Sequence, residues 1–389
     1  SAATLKNTSA TVHLVSTDLD FDDLTYSIVS DPSNGTYTLD GDIVTYTPTT
    51  NFIGLDSFTF KANDGSDDSS INTVTIKIVD TFFKPSSITV QDRIGSDILG
   101  EASNDKFGSS ISFNEDGTIM AVGAFGNDGN GSNSGSVRIY QYNTSLFSWE
   151  QLGSDIDGEA AGDWSGYYSL SISADGYTVA IGGYLNDGNG TNSGHVRIYQ
   201  YETSSSSWKQ LGLDLDGEAE GDQSGSSVSL SSNGSIVAVG AYANDGNGTD
   251  SGHFRVYQYK NSNWIQIGSD INGEAAGDEL GTSVSLSSDG SIVAIGAPSN
   301  NANGSLSGHV RVYQFSGGSW SQLGVDIDGE AAADRSGWKV SLSSDGTTVA
   351  IGAYANDGNG NNSGHVRVYK LVTFYNVWQG SQSTNWGTA

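Results

Sequence analysis

Residues 227–239 read SVSLSSNGSIVAV, and the architecture of most of the chain can be worked out from this stretch. Two short runs, Ser227-Val228-Ser229-Leu230 and Ile236-Val237-Ala238-Val239, flank the pair Asn233-Gly234. An Asn-Gly pair between two such runs is the strongest short-range signal for a β-hairpin. The second run is continuously apolar, which indicates a strand covered on both faces. The stretch therefore predicts the first two strands of a sheet that is packed between two others.

The same pattern occurs in five units along the chain. An Asp-Gly pair replaces Asn-Gly in the other four units, at Asp116-Gly117, Asp175-Gly176, Asp289-Gly290 and Asp345-Gly346. The tryptophans of successive units, Trp149, Trp208, Trp264 and Trp320, lie 59, 56 and 56 residues apart. A fixed period of this order is typical of solenoids and propellers. Each unit contains four short strand-like runs, so residues 88–372 are predicted to form a β-propeller of five four-stranded blades.

A further fourth-strand motif, Ile94-Gly95-Ser96-Asp97-Ile98, stands before the first unit. A ring of blades needs such an extra strand to close. We expect residues 88–98 to pair with the third strand of the last blade, near residues 365–370, because both sheet edges would otherwise stay exposed.

The first 80 residues have a different pattern. Short alternating runs, such as Thr73-Val74-Thr75-Ile76-Lys77-Ile78, are separated by turn residues every 8–12 positions, which is typical of a β-sandwich. Residues 81–87, with Pro85, are predicted to be a linker, and residues 373–389 to be a tail or the start of a further module. The predicted fold class is all-β: a small sandwich at residues 1–80 followed by the propeller.

Composition restricts the partners. The chain has 45 acidic and 16 basic side chains and a net charge of −29, which excludes nucleic acid and anionic membrane surfaces as partners. No apolar run is long enough to insert into a membrane. The absence of Cys excludes disulfides, thiolate metal sites and Cys nucleophiles. The acidic excess favours Ca²⁺, which binds hard oxygen ligands. Because the chain opens Ser1-Ala2-Ala3, we expect it to be a mature or excised piece of a longer protein.

The sandwich segment resembles the cadherin-like, tandem Ig-like domains of bacterial surface proteins. The matching stretches are Asp18-Leu19-Asp20-Phe21-Asp22-Asp23, Thr45-Tyr46-Thr47-Pro48, Asn51–Phe58 and Asn63-Asp64-Gly65. The resemblance implies Ca²⁺ at the ends of the domain. The candidate calcium ligands are Asp18, Asp20, Asp22, Asp23 and Asp64.

The repeats resemble the bacterial form of the FG-GAP propeller family. Phe107-Gly108-Ser109-Ser110, Val122-Gly123-Ala124 and Ile295-Gly296-Ala297-Pro298 carry the resemblance. Integrin-type members have a calcium loop, Asp-x-Asp-x-Asp-Gly, between the first two strands, whereas this chain has only Ser-Asp-Gly at residues 288–290. The family typically has seven blades, and five repeats are present here.

A second set of candidate calcium ligands lies in loops that read Asn-Asp-Gly-Asn-Gly. These weaker candidates are Asp128, Asp187, Asp245 and Asp357. Alternating oxygen-bearing residues and glycines suit a Ca²⁺ cradle. The same composition also suits a tight connection with left-handed backbone. The fourth unit has Asn301-Ala302 instead of Asn-Asp, which a turn tolerates better than a metal site does.

Two further residue types recur in the repeats. One Arg of the third strand and one Asp of the preceding connection occur in every unit, for example Arg197 and Asp163. They suggest either a ring of ligand-binding charges or a buried Arg–Asp pair that ties blades together. Histidines begin the third strand in four units, at His195, His253, His309 and His365. Because their places are equivalent, we expect local hydrogen bonding and not one four-His metal site.

The predicted function is adhesion, or assembly of a surface appendage, by a secreted bacterial protein at the cell surface, stabilised by Ca²⁺. Its partners would be cell-surface glycans or proteins, or further copies and modules of the same protein, bound multivalently. The alternative is a carbohydrate-binding lectin with one pocket per blade, in which Tyr184, Tyr242, Tyr354, Phe125 and Pro298 form the rim. No nucleophile elbow, His-Glu-x-x-His or phosphate loop is present, and equivalent repeats do not supply an asymmetric catalytic site. The sequence therefore predicts no enzyme and no catalytic residues.

Overall fold

The computed structural model describes residues 2–14, 16, 24–79 and 94–371. The described residues divide into two compact units, one within residues 2–79 and the other over residues 94–371. The candidate ligands Asp18, Asp20, Asp22 and Asp23, the predicted linker and the C-terminal tail lie outside the described residues. The predicted domain boundaries fall there too and stay predictions. The described residues contain no helix, and hence none that would cross a membrane.

The N-terminal unit is a sandwich of two sheets. One sheet has the strand order β1-β7-β6-β3, and the other has β2-β5-β4. The seven strands are β1 (Ala2–Leu5), β2 (Ala10–His13), β3 (Thr25–Ser30), β4 (Gly35–Asp40), β5 (Ile43–Pro48), β6 (Gly54–Asn63) and β7 (Asn72–Val79). Alternate side chains of β5, β6 and β7 point inward and form one core with Leu14, because side chains of a strand alternate between its faces. The predicted sandwich is confirmed.

The second unit consists of repeated antiparallel sheets, which we call blades 1 to 5. Each of the first four blades has four strands and a two-residue fifth strand. Blade 1 contains β8 (Phe107–Phe113), β9 (Ile119–Ala124), β10 (Ser136–Asn143), β11 (Ser148–Gln151) and β12 (Ile156–Asp157). Blade 2 contains β13 (Leu170–Ile172), β14 (Thr178–Gly183), β15 (His195–Glu202), β16 (Ser207–Gln210) and β17 (Leu215–Asp216). Blade 3 contains β18 (Ser227–Leu230), β19 (Ile236–Ala241), β20 (His253–Lys260), β21 (Asn263–Gln266) and β22 (Ile271–Asn272).

The last two blades follow the same plan. Blade 4 contains β23 (Ser283–Leu286), β24 (Ile292–Ala297), β25 (His309–Ser316), β26 (Ser319–Gln322) and β27 (Ile327–Asp328). Blade 5 contains β28 (Ser336–Leu342), β29 (Thr348–Ala353) and β30 (His365–Lys370) within the described residues. In blades 1 to 4 the four main strands lie side by side in chain order. The two-residue strand pairs with the first two residues of the third strand. The predicted all-β propeller with four-stranded blades is confirmed, and the two-residue strands are an addition to it.

The cores of this unit lie between blades. One cluster joins Ile139 and Ile119 of blade 1 to Val179 and Ile181 of blade 2, and equivalent clusters join blades 2 and 3, 3 and 4, and 4 and 5. Every residue of β24 is buried, as the continuous apolar run predicted. Each blade therefore depends on its neighbour for burial of its own second strand.

Polar contacts repeat at the same interfaces. The Ser227 hydroxyl of blade 3 donates to the Gly281 carbonyl of blade 4 at 2.7 Å, and Ser283 makes the same bond to Gly337 at 2.8 Å. The indole N–H of Trp264 donates to the Leu211 carbonyl at the end of the preceding blade. Trp149 makes the equivalent bond to Ile94 at 3.2 Å, so residues 94–95 lie on blade 1 as the end of a preceding fourth strand would.

The outer face of blade 5 is exposed. Val366 and Val368 of β30 are 68% and 64% exposed, whereas their equivalents in β15, Val196 and Ile198, are fully buried. Ile111, on β8 of blade 1, is 57% exposed. Among the described residues no strand pairs with β30 other than β29. The predicted closing pairing involves residues 88–93, which are not described, and stays a prediction.

Candidate functional site

One cavity of about 500 Å³ is shared by four blades. We call it the shared cavity. It is lined by Tyr168, Tyr184, Ser226, Tyr242, Glu279, Thr282, Arg335, Trp338, Lys339 and Tyr354. Blades 2, 3 and 5 contribute residues near the start of the first strand and the residue after the second strand, whereas blade 4 contributes only Glu279 and Thr282, which precede its first strand. Because neighbouring first strands pack side by side, these positions converge.

The convergence of these side chains changes the prediction for the aromatic residues that follow the second strands. Tyr184, Tyr242 and Tyr354 were expected to give one separate pocket for each blade. They instead face the same cavity, where Trp338 stacks edge-on against Tyr354 with ring centroids 5.0 Å apart. Phe125 contacts Tyr167 in an aromatic group at the adjoining blade interface, with centroids 4.3 Å apart. The three tyrosines therefore share one cavity, and the prediction of a lectin stays a prediction.

A strained backbone position recurs beside this cavity. A connection leads into the first strand of each blade, and its last Asp is Asp105, Asp163, Asp222, Asp278 or Asp334. The residue that follows this Asp has a positive φ in every blade, between 52° and 58°. It is Lys106, Trp164, Gln223, Glu279 and Arg335 in blades 1 to 5. Bulky residues adopt this conformation at a cost, and such strain is concentrated at functional sites. The backbone is constant here while the side chain differs in each blade, so the repeat holds a variable residue at a fixed place.

The polar groups of the cavity are asymmetric. Arg335 donates to the Ser299 hydroxyl at 2.5 Å, and Ser299 donates to Glu279 at 2.6 Å, so this cation and this anion are linked across blades 4 and 5. Lys339 replaces the serine that donates to the next blade in units 1, 3 and 4. Its ammonium lies 5.9 Å from the centre of the Tyr168 ring, and it forms no ion pair with a described carboxylate. Burial lowers the pKa of Lys339.

Two tyrosines of the cavity, Tyr184 and Tyr242, have raised pKa values and remain neutral hydrogen-bonding groups at physiological pH. Burial raises the pKa of Tyr184, and neighbouring tyrosines raise it further. Burial and Glu279 raise the pKa of Tyr242, whose hydroxyl is bonded to Gln223. The cavity thus offers aromatic faces, hydroxyls and two cations, Lys339 and Arg335, neither of which forms an ion pair with a carboxylate in the described part of the chain.

Sequence reasoning missed Trp338, Lys339, Arg335, Glu279 and Tyr168 as functional residues. The signal was available as departures from the repeat. Trp338-Lys339 stand where other units have small hydroxyl residues, and Tyr167-Tyr168 include one residue more than the equivalent stretch of the other units. Non-equivalent residues among equivalent repeats mark a place where one function has been concentrated.

The predicted calcium ligands in the loops accept hydrogen bonds from the backbone of their own turns. Oδ1 of Asp128, Asp187, Asp245 and Asp357 accepts the backbone N–H five residues later in each loop, at 2.6–2.8 Å. Asn301 makes the same bond in blade 4 at 2.8 Å, so an amide replaces the carboxylate without loss of the turn. Asp64 likewise accepts the N–H groups of Ser66 and Asp67, which lower its pKa. Calcium binding by these residues stays a prediction.

The prediction that the Arg of the third strand pairs with the last Asp of the preceding connection is wrong. Asp222 accepts the backbone N–H of Ala219 and the side-chain amide of Asn244, both at 3.0 Å, and equivalents recur in the other blades. The arginine of the third strand reaches the Glu of the same connection: Arg197 Nη1 lies 3.6 Å from Glu159. The tight turn of the connection directs the Asp back to its own backbone and leaves the Glu facing the Arg.

Three of the histidines belong to groups that are close enough to hold a metal ion. Each group has one His and two carboxylates whose ligand atoms all lie within 4.8 Å of one another. The groups are Glu159, His195 and Asp214; Glu218, His253 and Asp270; and Glu274, His309 and Asp326. The expected local hydrogen bonds at Nδ1 of these histidines are not formed.

Several solved structures resemble the chain in architecture. The periplasmic gluconolactonase of Pseudomonas aeruginosa matches with 16% identity over 84% of this chain and 76% of its own, with a TM-score of 0.44. The acylaminoacyl peptidase of Pyrococcus horikoshii matches with 12% identity over 67% of this chain and 37% of its own, with a TM-score of 0.37. Sqt1 of Saccharomyces cerevisiae matches with 13% identity over 92% and 87%, with a TM-score of 0.34. No curated protein matches the chain.

The prediction that the chain is not an enzyme has to be corrected. Two of these similar structures are enzymes, so the architecture does not exclude catalysis. The likeness is too distant to indicate a reaction. The sequence argument against an enzyme assumed that five equivalent units cannot form an asymmetric site. This assumption is wrong, because the shared cavity combines different residues from different blades.

Family models match both parts of the chain. Residues 1–77 match the bacterial Ig domain. Residues 100–140, 214–257 and 326–369 match the FG-GAP repeat. These matches agree with both resemblances found in the sequence, and such domains are typical of extracellular or surface proteins. The chain is thus a bacterial Ig domain followed by FG-GAP repeats that form a β-propeller.

Proposed function

We propose that the protein is a bacterial surface adhesin that binds glycans carrying an acidic sugar in the shared cavity. The observation that carries the proposal is the convergence of Trp338, Tyr354 and Lys339 in one cavity. Ligand sites combine apolar and aromatic walls with a few placed polar groups. Aromatic rings pack against the apolar faces of sugars, and an unpaired cation favours a carboxylate. In a chain of net charge −29, an unpaired lysine in a cavity is a selective feature.

The charges of the cavity favour an acidic over a neutral sugar. Arg335 is held toward Glu279 through the Ser299 hydroxyl, whereas Lys339 has no hydrogen-bond or ion-pair partner among the described residues, so Lys339 is the freer of the two lining cations. Lys339 is exposed and lines the cavity, so a carboxylate of a ligand can reach its ammonium. The ring of Tyr168 lies beside the same ammonium and limits where the carboxylate approaches.

The test is a glycan array that includes uronate-containing, sialylated and neutral glycans, read with the full chain. We expect binding to acidic glycans and a loss of at least 10-fold in affinity for Lys339→Ser, which introduces the residue of other blades. Trp338→Ala should abolish binding to every glycan. Phe147→Ala is the matched control, because Phe147 is an exposed aromatic residue on the β10–β11 hairpin outside the cavity.

The result that overturns the proposal is equal binding by wild type and Lys339→Ser, or binding that is lost in Phe147→Ala as well. Each array is repeated with a chelator, so that a calcium requirement of residues 1–80 is separated from recognition in the cavity. Calcium stabilisation remains part of the proposal, and the chelator arm tests it. Because the shared cavity provides one site in each chain, multivalent attachment would require several chains presented together.

A further inference from the structure

The interfaces between blades contain buried imidazole nitrogens without hydrogen-bond partners. His195 is 1% exposed, and its Nδ1 has no hydrogen-bond partner. This nitrogen points between two carboxylates: Oε2 of Glu159 and Oδ2 of Asp214 each lie 3.6 Å away. An N–H···O hydrogen bond has a donor–acceptor distance of about 2.7–3.2 Å, so neither contact is one. A buried polar atom without a partner is costly and calls for an explanation.

We propose that His195, Glu159 and Asp214 bind a divalent transition-metal ion, with zinc as the best fit. Zinc bonds to imidazole nitrogen and carboxylate oxygen are each about 2.0–2.2 Å long, so tetrahedral ligand atoms lie about 3.4 Å apart. The two observed separations of 3.6 Å approach this value. Imidazole selects zinc and similar ions, whereas Ca²⁺ prefers oxygen ligands alone. The side chain of Glu159 is 43% exposed, which leaves an entry path and a position for water.

The surroundings hold both carboxylates in position. Gln210 donates a hydrogen bond to Oδ1 of Asp214, which leaves Oδ2 directed at His195. Arg197 lies 3.6 Å from Oε1 of Glu159, which leaves Oε2 directed at His195. Arg197 itself is anchored by the Asp157 carbonyl at 2.7 Å. Supporting groups of this kind orient metal ligands and set their affinity.

In the equivalent groups of blades 3 and 4, an arginine contacts the carboxylate oxygens that would bind the metal ion, and it does so more extensively in blade 4 than in blade 3. In blade 3, Nη2 of Arg255 lies 3.3 Å from Oε2 of Glu218, the oxygen that also faces His253. In blade 4, Arg311 donates to both oxygens of Asp326 at 3.0 Å and also pairs with Glu274. A guanidinium on the ligand oxygens competes directly with a metal ion. We therefore assign the tight site to blade 2, a weaker one to blade 3 and none to blade 4.

Blade 1 provides a natural control. It keeps the supporting contacts, since Arg138 lies 3.7 Å from Glu101 and Gln151 donates to Asp155 at 2.6 Å. It has Ser136 where the other blades have histidine. Blade 1 therefore has the carboxylates but lacks the imidazole, and Ser136→His should supply it.

The experiment measures Zn²⁺ binding to the chelator-treated full chain by calorimetric titration, with Co²⁺ absorption as a report of tetrahedral coordination. We expect one tight equivalent of Zn²⁺ in wild type. His195→Gln and Glu159→Gln should each weaken it by at least about 100-fold, since even supporting residues are worth about 10- to 100-fold. His309→Gln should leave it unchanged, and Ser136→His should add a second equivalent. Thermal unfolding of each variant confirms that it is folded.

Three results would overturn the proposal: no tight equivalent in wild type, retention of it in a folded His195→Gln variant, or its equal loss in His309→Gln. Displacement of Zn²⁺ by an equal concentration of Ca²⁺ would also contradict it, because oxygen-only sites, and not an imidazole site, would then hold the ion. Glu159 is partly exposed, so Glu159→Gln keeps the test decisive if a substitution at buried His195 fails to fold.

Discussion

Single residues at the blade interfaces fix how closely the blades approach. Gly240, in β19, lies directly under the backbone of the next blade: a Cβ atom there would overlap the Gly281 carbonyl oxygen. The equivalent glycine of blade 5, Gly352, has no next blade over it among the described residues, and its nearest neighbours would be atoms of Lys339 at 3.7 and 3.9 Å. The same residue type in the same strand position therefore has a packing role in one blade and none in the other.

This contrast gives a residue-scale prediction. We expect Gly240→Ala to lower the free energy of unfolding by about 3 kcal/mol, because the added methyl group pushes apart two backbones that have little room to move. Gly352→Ala should change it by less than about 0.5 kcal/mol. Urea unfolding of both variants, followed by tryptophan fluorescence, measures the difference. Equal destabilisation by the two substitutions would mean that blade 5 is covered in solution.

At the scale of elements, one buried carboxylate joins three parts of the Ig domain. Asp56 of β6 is 5% exposed and accepts the backbone N–H groups of Ser33 and Asn34, which lie between β3 and β4, at 2.9 Å. It also accepts the Tyr46 hydroxyl of β5 at 2.8 Å. Burial alone would raise the pKa of Asp56, but the hydrogen bonds from Tyr46 and the backbone outweigh it and lower the pKa.

The second prediction concerns pH. Because the pKa of Asp56 is lower in the folded state, its stabilisation is complete above the unfolded value of about 3.9 and is lost as pH falls through the folded value. Asp56→Asn should destabilise the Ig domain by about 2 kcal/mol at pH 7, since an amide cannot accept all of these bonds. The gap to wild type should narrow below about pH 4. Calorimetry from pH 7 to pH 3 checks this, and a gap that is constant with pH would contradict it.

Elements were predictable from the sequence where their signals are local. The Asp-Gly turns and the apolar second strands lie within a few residues of each other, so the hairpins and the five repeats were found. The shared cavity was not found, because Tyr168 and Lys339 meet only through the arrangement of several blades. The partner of Asp222 was assigned wrongly for a similar reason: Asn244 is 22 residues away and was interpreted only as a turn residue. Features that depend on neighbouring residues could be predicted from the sequence, whereas contacts between residues of different blades could not.

For the whole molecule, the third prediction separates the two compact units by their response to calcium. Asp18, Asp20, Asp22 and Asp23 place four like charges within six residues of the Ig domain, and a cation that binds only the folded form relieves their repulsion. The loop carboxylates of the propeller already accept hydrogen bonds within their own turns. We expect Ca²⁺ to raise the unfolding temperature of the Ig domain more than that of the propeller in a calorimetric scan. A shift of the propeller transition alone would contradict this.

The tryptophan contacts between successive blades have a spectroscopic consequence. Trp208, Trp264 and Trp320 each donate to a carbonyl at the end of the preceding blade, so each indole reports whether two adjacent sheets are still docked. The interblade cores also join nearest neighbours only, as in a one-dimensional array. Loss of order that begins at the exposed face of blade 5 should then spread sheet by sheet toward blade 1. The three indoles would report its passage as separate steps in emission, with Trp320 first and Trp208 last.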